Sequence, residues 1–383
     1  MAGLSPEKTP LEIFDGKNTY LLRHPAPPAE FKPANGHPGF LVYAGKHSNV
    51  RANTSVELAG VWTATLEDSM DPAVLIHECF HVFERQKHPL WVANEAALFT
   101  YPVEDSQALA LSRLELEAMS RALAAANPAC WSARVREVRQ RRFSLLPKDA
   151  VGYERGNELN EGLAQYVEGM AGRKDVKFRV FGPEEVRQRG YLSGEASARL
   201  LDRIDGDWKT KVNDALDTLL PQTSDSACDF TQAETQSAES QAETDIAKLK
   251  DQRSEVMKAF ESQPGWRVTV KAASGKPLML AGFDPLNVSR LSAEAVLHKR
   301  WLKLQSDSGS LEIMNHGSIT TGSGANPLFG GVVEWRTAGL TEKPEIKEDS
   351  SRLTLTSGAI KLDFGNAEAI VDAKAELVVV RLQ

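Results

Sequence analysis

The chain contains His77-Glu78-Cys79-Phe80-His81, two histidines four positions apart with a glutamate directly after the first. The flanking residues read as a helix. Asp71 is suited to accept a hydrogen bond from a free N–H of the first turn, and Pro72 suits the next position, where no N–H is needed. Val74, Leu75, Ile76, Phe80, Val82 and Phe83 supply enough apolar surface to bury the helix. On a helix, a spacing of four stacks His77 and His81 on one face, one turn apart. Two imidazoles so placed grip one metal ion, and Glu78 stands beside them as a base for water. A buried, capped helix is the context in which this spacing carries that chemistry. A surface helix with two solvated histidines is the alternative.

A catalytic zinc takes three protein ligands and keeps one position open. His88 is the nearest later histidine. The metzincin pattern needs Gly at position 84 and His at position 87, where this chain has Glu84 and Lys87, so that pattern is excluded. A glutamate from a second helix is the other source. Glu154, Glu158, Glu161 and Glu168 lie within reach of a similar helical face over 153–168, and spacing alone does not choose among them.

Asn160-Glu161-Gly162-Leu163-Ala164 resembles the Asn-Glu-Gly-x-Ala segment of the gluzincin metallopeptidases, most closely the aminopeptidase N and leukotriene hydrolase branch. The resemblance implies that Glu161 is the third ligand, with Glu158 as its competitor, and that the metal is Zn2+. Gly162 would let a neighbouring backbone approach closely. Gly190-Tyr191-Leu192-Ser193-Gly194 is similar to the tyrosine segment that opens a helix in the same branch. By that resemblance the Tyr191 hydroxyl steadies the oxyanion of the tetrahedral intermediate, with Tyr153 as runner-up. A phenol suits the task because it donates a hydrogen bond without carrying charge. Gln165, one turn after Glu161, is a candidate to orient a histidine. The resemblance runs from about residue 56 to residue 205. It departs from the branch in a helical block, Trp91 to Gly156, expected to roof one side of the cleft. The Gly-x-Met-Glu-Asn segment that holds a substrate amine in that branch is missing.

The function this implies is a zinc-dependent metallopeptidase: metal on His77, His81 and Glu161, Glu78 as general base, Tyr191 as oxyanion donor, and a peptide or protein as substrate. Two other readings use the same residues: a non-catalytic metal-binding or recognition protein on a peptidase scaffold, and a zinc hydrolase of a non-peptide amide or epoxide. Lys plus Arg number 45 against 52 Asp plus Glu, a net charge of −7, which argues against nucleic acid as a partner. No apolar run approaches the ~20 residues of a membrane span. Met1 to Pro10 carry no basic-then-apolar signal pattern, so the expectation is a cytoplasmic chain or the mature form of an exported one. Cys79 reads as a small core residue, and Cys130 and Cys228 as free thiols or a pair.

The expected fold is α+β: a zincin-like catalytic domain with a mostly helical C-terminal part, followed by a β-sandwich-like domain. Residues 1–70 read as an N-terminal arm, loose over 1–35 apart from a short strand around Thr19–Leu22, and a small β-sheet. The Val56–Leu66 run is the candidate strand bordering the cleft, with an ordinary interior strand as the alternative. Residues 71–221 read as the helical zinc-binding part. Within it, Arg134, Arg136, Arg139, Arg141 and Arg142 read as a solvated helix face. Residues 222–263 read as a linker passing into a helix with an apolar stripe (Ile246, Leu249, Val256, Met257 and Phe260). Residues 264–383 alternate in short runs such as Arg267-Val268-Thr269-Val270-Lys271, separated by turn residues, as in a sandwich or barrel. His298 and His316 there are isolated and read as structural or surface groups.

Overall fold

The computed structural model describes residues 4–50, 53–67, 71–223, 228–284, 287–322, 324, 326–349 and 351–383. It is a mixed α+β structure with two compact units, residues 1–95 with 102–246, and residues 96–101 with 247–383. The division falls inside a helix, between Ile246 and Ala247, and not at the change to strands near residue 264.

The first unit holds a six-stranded sheet of β1 (Leu11–Phe14), β2 (Asn18–Leu22), β3 (Lys32–Pro33), β4 (Phe40–Ala44), β5 (Thr54–Leu58) and β6 (Val61–Glu67), in the order β3-β4-β2-β1-β6-β5. The short strand expected around Thr19–Leu22 is present as β2, but the segment around it is not a loose arm, since β1 pairs with β2 inside the sheet. β1 and β2 occupy the middle of the sheet and are covered on both faces, Leu11 burying on the face with Cys79 and Val82 and Leu21 on the other with Phe31 and Leu58. The Val56–Leu66 run is also not one strand. Ala59 and Gly60 take φ of 46° and 79°, the left-handed pair of a tight hairpin. The reversal makes β5 the free edge and places β6 between β5 and β1.

Helix α1 (Pro72–Lys87) follows and is capped as its sequence predicts, with the Asp71 carboxylate accepting from Ala73 N. It packs Cys79 and Val82 against Leu11 and Ala64 of the sheet. Its Phe80 and Phe83 enter the main helical core. That core is completed by α2 (Ser106–Ala124), α3 (Ala129–Phe143), α5 (Leu163–Ala171), α6 (Val186–Ile204) and α7 (Trp208–Lys211), and α4 (Lys148–Asn157) lies between α3 and α5 in the chain. A single π-helical turn, Glu158–Gly162, joins α4 to α5. The first half of α8 (Gln232–Glu261) seats Ala242 and Ile246 on Leu109 and Ala110. Residues 224–227 of the expected linker lie outside the described residues. Cys130 and Cys228 form a disulfide, and Cys79 is a free buried thiol.

The arginine-rich α3 departs most from its sequence reading. Arg139 and Arg142 are buried, at 0% and 2% exposure. Arg139 bonds Glu115 (2.6 and 2.9 Å) and Glu158 (2.6 and 2.8 Å). Arg142 bonds Glu115 (2.9 and 3.0 Å) and Glu154 (2.6 Å). Buried charges persist only when paired and hydrogen-bonded, and partners brought from α2 and α4 meet that condition here.

The second unit contains a seven-stranded and a six-stranded sheet. Val268, Val270, Trp335 and Val380 of one share a core with Leu304, Leu311, Leu355 and Phe364 of the other. The second half of α8 belongs to this unit, where Phe260 and Met257 pack with Leu291 and Ile319. His298 is buried and bonds Thr320 (3.1 Å), and His316 bonds the Ala338 carbonyl (2.7 Å). Among the described residues no helix is long and apolar enough to cross a membrane.

Candidate metal centre

α1 presents His77 and His81 one turn apart, their ring centroids separated by 5.0 Å. The π turn brings Glu161 to the same point. His77 Nε2 lies 3.7 Å and His81 Nε2 3.6 Å from Glu161 Oε2. The donor atoms of these three residues all lie within 4.8 Å of one another, and they form the one such group among the described residues. A π turn inserts one residue into a helix, and such turns recur at functional sites. Here it falls on the residue that must face the histidines, while the helices on either side keep their packing.

The other three glutamates are accounted for. Glu158 turns away into the Arg139 network and accepts a further bond from Ser193. Glu154 pairs with Arg142 and Arg189. Glu168 Oε2 lies 3.1 Å from His77 Nδ1. Glu84, 1% exposed, does the same for His81, at 3.2 Å from Nδ1. Each imidazole thus has a carboxylate on Nδ1 and turns Nε2 toward Glu161. That arrangement fixes the tautomer and orients a metal-binding histidine. Gln165, expected to orient a histidine, instead lines a groove beside Glu168. Sequence reading missed both orienting carboxylates as such. Their signal is modest: Glu84 follows His81 by one turn, and Glu168 follows Glu161 by two.

Close helix contact sets the position of the next residues. A Cβ on Gly162 would lie 2.6 Å from the Gly194 Cα, and one on Gly194 would lie 2.7 Å from the Gly162 Cα and 2.8 Å from the Glu158 carbonyl oxygen. Only paired glycines let α6 cross the π turn at this distance. The crossing carries Tyr191 to the site, where its hydroxyl interacts with the Glu161 carboxylate and with Arg187. Its ring stacks on His77 at 6.4 Å. Tyr153 is buried, with its hydroxyl 3.5 Å from Glu95, a residue that lines the same cleft as Glu161. His88 lies away from the donors, stacked on Trp91 with ring centroids 3.8 Å apart. Of the block expected to roof the cleft, Val92, Ala93 and Glu95 reach it. Helices α2 and α3 instead form core and the buried ionic network.

Charge at the site favours a cation. Burial disfavours the charged form of His81, yet the carboxylates of Glu161 and Glu84 reverse this and push its pKa up to about 9. His77 is raised the same way, with burial outweighed by Glu161 and Glu168. Burial also opposes ionisation of Glu161, but the two imidazoles facing it hold its carboxyl well below the usual carboxylate range. Burial raises Glu78, partly offset by the two histidines. Glu78 is 4% exposed, and its Oε2 is buried without a hydrogen-bond partner. Two nitrogen donors, one carboxylate oxygen, two orienting carboxylates and an orphaned carboxylate oxygen fit a divalent metal ion with an adjacent base.

No family model, curated protein or solved structure matches the chain.

Proposed function

We propose that the chain is a zinc-dependent peptidase of gluzincin type, its first unit a zincin-like catalytic domain. The observation that carries this reading is the convergence of His77 Nε2, His81 Nε2 and Glu161 Oε2, with a carboxylate behind each histidine. Zinc held by these three residues would acidify water and polarise the scissile carbonyl.

The remaining work falls to the chain's own groups. Glu78 Oε2, buried and unpartnered, takes a proton from the attacking water and returns it to the departing amine nitrogen. Its desolvation raises its basicity, which suits a group that must both accept and release that proton. Burial and the Glu161 charge hold the Tyr191 phenol above its ordinary pKa. It therefore stays protonated and donates to the oxygen that gains charge. Glu84 and Glu168 keep the imidazoles turned. β5, the free edge, lines the cleft through Thr54 and Ser55 and offers backbone groups to an extended peptide.

Glu78→Gln is the test. The variant should bind zinc as the wild type does and lose cleavage of a diverse peptide mixture, read by mass spectrometry, by at least about a hundredfold. A variant as active as the wild type, or a zinc-loaded wild type that cuts nothing in the mixture, would sink this reading.

A further inference from the structure

We propose that the cleft beside the metal ligands holds a carboxylate of the substrate, with Arg85 as the residue that selects it. The proposal rests on the peptidase reading for the word substrate, but the binding it describes is tested apart from turnover.

The cleft encloses about 330 Å³ and is bounded by His81, Glu161, Thr54, Ser55, Arg85 and Arg187 among others. That volume suits one side chain or one chain end. Arg85 follows His81 by four residues on α1, so its guanidinium stands one turn beyond the metal ligand on the same helical face. Arg187 is already engaged. It donates to Glu161 Oε1 at 2.9 Å and stands 3.7 Å from Glu95 Oε1. Arg85 is different. Among the described residues no carboxylate forms an ion pair with it; its guanidinium carbon lies 5.8 Å from the Trp62 ring, and its charge acts through space on the adjacent Glu84. A cation over an aromatic ring is positioned yet keeps its hydrogen-bond donors free. Glu95 is the acid on the opposite side of the charge balance, and it faces Arg187.

Glu95 and Glu161 are already matched by Arg187, whereas Arg85 brings to the cleft a cation that, among the described residues, no carboxylate bridges, so an anionic group finds an unmatched partner there. Planar guanidinium donors match a carboxylate in particular. Two sources share this chemistry: an Asp or Glu side chain, and the free C-terminus of a short peptide. Thr54 and Ser55 on the edge strand place an extended backbone within reach of either.

The test is equilibrium binding to the zinc-loaded full-length Glu78→Gln protein, followed by fluorescence anisotropy. The probes are fluorescein-labelled octapeptides of alanine and tyrosine. Each carries a single Glu, Gln or Lys at successive positions, with either a free or an amidated C-terminus. At one position Glu should bind about tenfold more tightly than Gln, or else the free terminus should exceed the amide by a similar factor. The first outcome identifies a side-chain carboxylate and the second a chain end. Arg85→Glu, an exposed change, should abolish the preference or turn it toward Lys. The proposal is overturned if no carboxylate gains more than twofold, if no probe binds, or if the preference survives Arg85→Glu. Failure of the peptidase reading looks different: acidic probes bind through Arg85, but the wild type never cleaves them. Cleavage that depends on Glu78 without any acidic preference is the converse.

Discussion

Replacing Arg139 by methionine should destabilise the first unit by about 3–5 kcal/mol, the cost of breaking a buried ion pair from one side. The magnitude follows from what is left behind. Arg139 makes four hydrogen bonds of 2.6 to 2.9 Å to Glu115 and Glu158, and both carboxylate side chains are 2% exposed. Without Arg139, Glu115 keeps Arg142 and Glu158 keeps Ser193. Glu158 then has a buried charge satisfied by one hydroxyl. In a unit of this size each kcal/mol moves the melting temperature by roughly 2–4 °C, so calorimetry should register a fall of roughly 6–20 °C. The damage should also reach the site, because Glu158 opens the π turn that carries Glu161. Zinc affinity, measured by competition with a chelator, should fall along with stability. Adding Glu158→Gln should recover part of the loss, since the stranded charge is then gone. A loss below about 1 kcal/mol for Arg139→Met would match the ordinary surface substitution and refute the buried network.

Three further outcomes are expected. Gly194→Ala should cost about 1–3 kcal/mol and weaken zinc binding, because the new methyl meets backbone at 2.7 and 2.8 Å and pushes α6 off the π turn; unchanged zinc affinity by chelator competition would contradict the close crossing. Reducing Cys130–Cys228, which spans 98 residues of sequence, should cost roughly 2–4 kcal/mol in denaturant titrations. Before reduction, thiol counting on the unfolded chain should find one free cysteine, Cys79. Burial pushes the His298 pKa down to about 4. The unfolded chain therefore binds the extra proton first as pH falls below about 6.5, and the second unit should lose up to about 3 kcal/mol by pH 4. Above pH 6.5 this contribution is flat, and His298→Gln should flatten the acid limb of stability measured by denaturation.

How much was readable from residue order follows from the range of the interactions. The cap of α1 is set by Asp71, Pro72 and the N–H of Ala73, and the histidine pair by one helical turn. These are local interactions, and the sequence alone determines them. The alternation from Trp266 onward is local in the same sense, since a strand's two faces are written two residues apart. The N-terminal strands and the hairpin within Val56–Leu66 were less legible: a short apolar run reads alike as arm, edge or interior strand until its neighbours are known. The four glutamates near residue 160 show the limit most clearly. Each has a similar local context, and their fates depend on partners far along the chain: Arg139 for Glu158, Arg142 for Glu154, and His77, ninety-one positions away, for Glu168. The same holds for Arg139 and Arg142 of α3, which look like part of a solvated face until α2, α4 and the π turn bring carboxylates over them, while Arg141 stays exposed. Tertiary structure alone decided which charges are buried, because burying a charge is tolerable only where another segment supplies its counter-charge.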